Sequence, residues 1–190
     1  MRIALVQFNT VVGDVDGNVS RIVDAIGRAR RDGAHMVVFH ELCISGYPPR
    51  DLVERRSFIQ QCESGLERVR VATADAPGMA VIVGLPMASR STGGKGVANA
   101  AVVLKDGAVL HRHDKLLLPT YDVFDEGRYF DPADECRPFE FGGETIGLSI
   151  CEDAWNDPLL FRHRPYAIDP IEMLAAQGAR LMINISASPF

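Results

Sequence analysis

Apolar positions along the chain follow two rhythms. Short unbroken runs mark strands buried on both faces: "IALVQF" at 3–8, "HMVVFHE" at 35–41, "MAVIVGLP" at 79–86, and further runs at 145–150 and 180–185. Between the first two, Ile22, Val23, Ile26 and Ala29 recur at helical spacing and predict a helix over 18–31, with Asn18 or Asp16 as its cap and Gly33 closing it. A second helix is expected from about 51 to 74, stopping before "DAPG", and a third over 169–177. The stretch "GVANAAVVLKDGAVLHRHDK" reads as a hairpin turning at Asp106-Gly107. "GYPPRDL" continues neither rhythm, because Pro48 and Pro49 lack N–H donors and restrict the residues before them. Residues 119–143, rich in Pro, Asp and Gly, read as a loop.

Strands alternating with helices, with a hairpin among them, predict an α/β domain whose sheet is covered by helices. The 190 residues contain no repeat and no linker, which fits one domain with a sizeable core. A net charge of −5 with no Lys/Arg run offers no electrostatic footprint for nucleic acid. No apolar run approaches the length of a membrane span, and the first one is too short for a signal-peptide core. Cys43, Cys62, Cys136 and Cys151 are scattered without a C-x-x-C pair, so a zinc or dithiol site has no support and reduced thiols in the cytoplasm are expected.

The chemistry enters at three strand ends. Glu41 follows "MVVFH", Lys115 follows "AVLHRHD" and Cys151 follows "TIGLSI". Catalytic groups in α/β proteins gather where strands end at their carboxyl side. A thiol nucleophile needs a base for its proton and a cation or N–H groups for the oxyanion, and Glu and Lys can fill those places. Taken singly, each has a plainer reading: a buried structural thiol, a surface or capping carboxylate, a lysine with its stem on apolar surface. The two carboxylates after Cys151, Glu152 and Asp153, would oppose thiolate unless the turn aims them away from the sulfur.

The words around these residues decide between the readings. "VVFHELCISGYPPRDL", "HRHDKLLLPTYDVFDEGRYF" and "GLSICEDAW" resemble the Glu, Lys and Cys motifs of the nitrilase (carbon–nitrogen hydrolase) superfamily. "GYPPRDL" and "LPTYDVFDE" are most similar to the amino-terminal glutaminase domain of glutamine-dependent NAD synthetases, and the resemblance runs from "IALVQFNTVVGDVDGN" to "NISASPF". It implies a four-layer α-β-β-α sandwich over 1–190. That domain is normally longer, so the chain is expected to be incomplete at its carboxyl end. It implies Glu41 as general base, Lys115 as oxyanion cation, Cys151 as nucleophile and Glu126 as a second glutamate that positions them. It also implies Tyr121 and Ser188 as glutamine contacts.

The implied reaction is glutamine hydrolysis through a thioester, supplying ammonia for ATP-dependent amidation of deamido-NAD. No metal or cofactor is expected for it; ATP and Mg²⁺ would serve a carboxy-terminal synthetase domain, the implied partner, which is not in this sequence. A homo-oligomer is expected. A stand-alone amidase or nitrilase acting on another small amide or nitrile, or an inactive module that only associates, are the competing readings, and weak or no turnover is expected of this piece alone.

Three further features read more plainly. His111 and His113 share one strand face, a possible metal pair, but with no third ligand they read as a solvated hairpin face. "STGGKG" at 91–96 lacks the spacing of a phosphate loop and reads as a flexible hairpin loop. Arg162, His163 and Arg164 read as solvent-facing, with contact to substrate or a partner domain as the alternative, and Cys43, Cys62 and Cys136 read as buried structural thiols, Cys43 lying near enough to Glu41 to line the site.

Overall fold

The computed structural model describes residues 1–157 and 166–187. Among the described residues eight strands form two sheets. The larger orders β1 (Ile3–Val6), β2 (Met36–Phe39), β3 (Ala80–Ala88), β4 (Val97–Lys105) and β5 (Ala108–Asp114) side by side, all running in one direction except β4, which is antiparallel to both its neighbours. The smaller orders β6 (Phe139–Phe141), β7 (Glu144–Ile150) and β8 (Leu181–Ile185), with β7 and β8 parallel.

The unbroken apolar runs are explained by what lies on each face. Val37, Phe39, Val81, Val83, Leu85, Val102 and Leu104 point to one side of the large sheet, where α1 (Val15–Arg31) and α2 (Arg56–Thr73) cover them. Their neighbours Met36, Val38, Ala80, Ile82, Ala101 and Val103 point to the other side and meet Ile146, Leu148, Ile150, Ile183 and Ile185 of the small sheet. The period-2 alternation of a strand is present, but both faces are apolar. On the outer side of the small sheet Leu174 of α4 (Pro170–Ala176) packs with Met182 and Ala179. Helices, sheet, sheet, helix make four layers, the α-β-β-α arrangement expected. Gly65 sits where α2 crosses α1, since a Cβ there would meet Val15 and Val19 at 3.0 and 3.1 Å.

Several boundaries differ from expectation. Asp14, rather than Asn18 or Asp16, caps α1, its carboxylate accepting from Gly17 N at 3.0 Å; Asn18 lies inside the helix and is buried. The helix expected from 51 is a 3₁₀ turn, Arg50–Glu54, followed by extended Arg55 and then α2. The loop over 119–143 contains α3 (Glu126–Tyr129) and β6, elements of four and three residues that are too short to show a period. The hairpin turns at Asp106-Gly107 with φ of 51° and 76°, both left-handed, as a two-residue hairpin turn requires. In "STGGKG" the N–H groups of Lys95 and Gly96 donate to the Asp131 carboxylate at 2.7 Å each, so a side chain of the protein itself holds this loop.

Candidate active site

Parallel β2 and β5 end on one edge of the large sheet, where antiparallel β4 begins, and β7 ends beside them. Glu41 lies two residues past β2, Lys115 directly follows β5 and Cys151 directly follows β7. Close approach of the Glu41 turn to β3 depends on Gly84: a Cβ there would come within 2.4 Å of Leu42 N and 3.0 Å of Glu41 Cα. Leu42 and Cys151 are both left-handed, φ 51° and 44°. That conformation costs a non-glycine residue about 1–2 kcal/mol, and such strain gathers at functional sites.

The Lys115 ammonium has no exposure and is held by two carboxylates, Glu41 Oε1 at 2.9 Å and Glu126 Oε2 at 2.8 Å. Burial pulls the lysine pKa down, but Glu41 and Glu126 overcome it and raise it beyond the ordinary lysine range, so Lys115 is a fixed cation. Two carboxylates around one ammonium leave an excess of negative charge. Burial accordingly pushes the Glu126 carboxyl up to about 7, against the pull of Lys115. Tyr47 Oη donates to Glu126 Oε1 at 3.3 Å. Cys151 is buried and lies within electrostatic reach of Lys115, Tyr47 and Tyr121. The structure therefore brings Glu41, Lys115, Glu126 and Cys151 into one cluster.

Glu152 and Asp153 are both engaged elsewhere. Glu152 accepts from Tyr121 Oη at 2.8 and 2.9 Å and from Tyr166 Oη at 2.9 Å. Asp153 is wholly buried and accepts from Ile150 N, Leu116 N, Leu117 N and His113 Nε2, all at 2.9–3.0 Å. One carboxylate thus ties the end of β7 to the segment just after Lys115. Four donors answer the cost of burying its charge. Tyr121 is half-exposed, its hydroxyl on Glu152, and burial with that bond pushes its pKa up to about 12. Ser188 and the cluster Arg162, His163 and Arg164 lie outside the described residues.

One expectation is corrected and another is met. His113 is no solvated hairpin residue: it is buried against Asp153, and half-buried His111 stacks on Phe139 at 5.3 Å, burial pushing its pKa down to about 4. Cys43 is the buried structural thiol expected. Its thiol bonds to the backbone of Gly84, and burial pushes its pKa up to about 12. Among the described residues no group of three or more His, Cys, Asp or Glu side chains is placed to hold a metal ion. None of the described helices is long and apolar enough to cross a membrane.

Residues 2–190 match the carbon-nitrogen hydrolase family. The chain belongs to that family. Glutamine-dependent NAD(+) synthetases of Synechocystis sp. and Xylella fastidiosa are 38% and 39% identical to it over 99% and 100% of its length. The chain spans only about a third of those relatives, 34% and 32%. The glutamine-dependent NAD+ synthetase of Acinetobacter baumannii superposes on this carbon–nitrogen hydrolase chain with a TM-score of 0.84 at 28% identity, over 99% of the chain and 32% of that protein. An amidase from Nesterenkonia sp. superposes with a TM-score of 0.81 at 27% identity, over the whole chain and 66% of the amidase. A glutamate-to-glutamine variant of that amidase, 27% identical with a TM-score of 0.79 over 98% of the chain and 66% of its own, shows the result of Michael addition of acrylamide at its active-site cysteine.

The motifs of this hydrolase domain single out Glu41, Lys115 and Cys151, but sequence reasoning missed the groups that hold them. Asn99 Nδ2 donates to Glu41 Oε1 at 2.8 Å and Ala187 N to Glu41 Oε2 at 3.0 Å. Asn99 did leave a signal, as the one polar residue in the apolar run "VANAAVVL". Asp153, Glu152 and His113 stand out in the sequence, but their partners do not, because folding sets them.

Proposed function

We propose that the domain hydrolyses the side-chain amide of glutamine through a thioester on Cys151. The observation that carries this reading is the buried Lys115 ammonium clamped between Glu41 and Glu126 in the cluster that holds Cys151. Glu41 takes the thiol proton, and Cys151 Sγ forms a bond to the amide carbon. Lys115, with the N–H following the nucleophile, stabilises the oxyanion. Protonated Glu41 gives its proton to the amide nitrogen, the C–N bond breaks and ammonia leaves. Glu41 then takes a proton from water, whose oxygen attacks the thioester carbonyl; the C–S bond breaks, the leaving sulfur takes that proton back from Glu41, and glutamate leaves. Glu126 positions the lysine, and Tyr121 and Ser188 are the proposed substrate contacts.

The thiol, carboxylates and ammonium supply every group this sequence of steps requires, so no cofactor enters it. The names of the glutamine-dependent NAD(+) synthetase relatives favour glutamine as substrate. The proposed consumer of the ammonia is a synthetase domain using ATP and Mg²⁺. The amidase likeness favours a second reading, hydrolysis of another small amide.

Acrylamide provides the test of the nucleophile. Cys151 is expected to be alkylated in the native chain, detected by peptide mass. Labelling is lost in Cys151→Ala and in urea-unfolded protein falls to the rate of an ordinary thiol, whereas Cys43→Ala retains it. Native Cys151 reacting no faster than an unfolded thiol would sink the reading. Ammonia release from glutamine against simple amides then separates the two substrates.

A further inference from the structure

The base proposed above has a partner outside the family motifs. We infer that Asn99 is a positioning residue for Glu41: its amide fixes which carboxylate oxygen stays charged and which receives the thiol proton. Asn99 is wholly buried on β4 and touches two members of the cluster. Its Nδ2 donates to Glu41 Oε1 at 2.8 Å, and its backbone oxygen accepts from Lys115 N at 2.9 Å. Glu41 Oε1 thus accepts from both Asn99 Nδ2 and Lys115 Nζ, whereas Oε2 accepts from Ala187 N. Charge concentrates on the oxygen with the ammonium and the amide, which leaves Oε2 as the more basic position.

Packing alone gives no reason for an amide here. Its neighbours Ala98, Ala100 and Ala101 are buried and apolar, and Asn99 Oδ1 is buried without a hydrogen-bond partner among the described residues. An orphaned buried acceptor weakens the folded state, so a residue kept for stability alone would be apolar. The strand tolerates Asn99 opposite Pro86 because its own N–H and C=O face β5. Pro86 lies past the end of the β2 pairing, where its missing N–H breaks no bond.

The inference rests on the proposed function and has its own readout. Titratable groups around Glu41 are Lys115 after β5, Glu126 on α3, Tyr47 after β2, Cys151 after β7 and, in its own segment, His40. The experiment follows the acrylamide alkylation rate of Cys151 against pH in the wild-type chain, Asn99→Leu and Asn99→Asp. Leucine keeps the branching of the side chain and removes the donor that holds Glu41 Oε1. The midpoint of the acidic limb then rises by about one pH unit, and the rate below it falls about tenfold. Aspartate places a second carboxylate beside Glu41 that shares its proton, so the midpoint rises further still.

A structural role alone would lower the rate without moving the midpoint in either variant, and that result overturns the inference. Failure of both variants to fold also overturns it, since the positioning role requires a chain that folds without the amide. Wild-type Cys151 that labels no faster than an ordinary thiol is a different failure, that of the proposed function itself.

Discussion

Glu126 shows how a buried charge cluster settles its balance at a single residue. With Lys115 fixed as a cation and Glu41 beside it, burial carries the Glu126 carboxyl from 4.5 to about 7. Between those values the folded chain keeps a proton that the unfolded chain has released. Stability from this group is therefore full below about pH 4.5 and is lost as pH rises to about 7, by up to about 3 kcal/mol. Lys115, shifted upward, stays charged throughout that window and adds no slope there. Glu126→Gln removes the titration, so the stability difference between wild type and variant should change in the variant's favour from pH 4.5 to 7.5. Urea unfolding at the two pH values measures this, and parallel curves would contradict the shift. Legibility at this scale follows sequence distance: Glu41, Lys115 and Cys151 carry local motifs. Asn99 and Asp153 act on partners 58 and up to 40 positions away, and no local pattern encodes such a pairing.

At the scale of elements, strand and helix rhythms were readable because burial imposed them. The four-residue α3 and three-residue β6 were not, since neither completes enough turns or alternations to show a face. Glycine gives a sharper contrast. Gly27 in α1 and Gly84 in β3 look alike in sequence, but the space around them differs. A Cβ at Gly27 meets only Arg31 Nη1, at 3.6 Å, whereas one at Gly84 meets the backbone of Leu42 and Glu41. Gly27→Ala should raise stability by about 0.5–1 kcal/mol, the helix-propensity gain. Gly84→Ala should lower it by about 1–3 kcal/mol through overpacking and, by displacing the Glu41 turn, slow Cys151 alkylation. Thermal melts and alkylation rates together check the pair. A Gly84→Ala chain as stable and as reactive as wild type would mean that β3 does not set the position of Glu41.

The whole molecule divides the site between its two sheets. Glu41, Asn99 and Lys115 hang on the five-stranded sheet and Cys151 on the three-stranded one, so the apolar layer between the sheets sets the distance from nucleophile to base. Helix-layer packing on the far face of the large sheet touches the Leu42–Ile44 turn but does not lie between nucleophile and base. Two isoleucines with no exposure separate these roles: Ile146 between the sheets and Ile22 between α1 and the large sheet. Truncating either to alanine should cost about 2–5 kcal/mol, because both leave a cavity in close-packed surroundings. Their effects on the site should differ. Under conditions where both variants remain folded, Ile146→Ala should slow acrylamide alkylation of Cys151 several-fold, since small misplacements of reacting groups are costly to rate. Ile22→Ala, at comparable loss of stability, should leave the rate near that of wild type. Equal rates in the two variants would show that the inter-sheet layer holds the protein together without setting the geometry of its site. Slower reaction confined to Ile146→Ala would identify sheet-on-sheet packing as the element that brings a motif from one half of the chain onto a motif from the other.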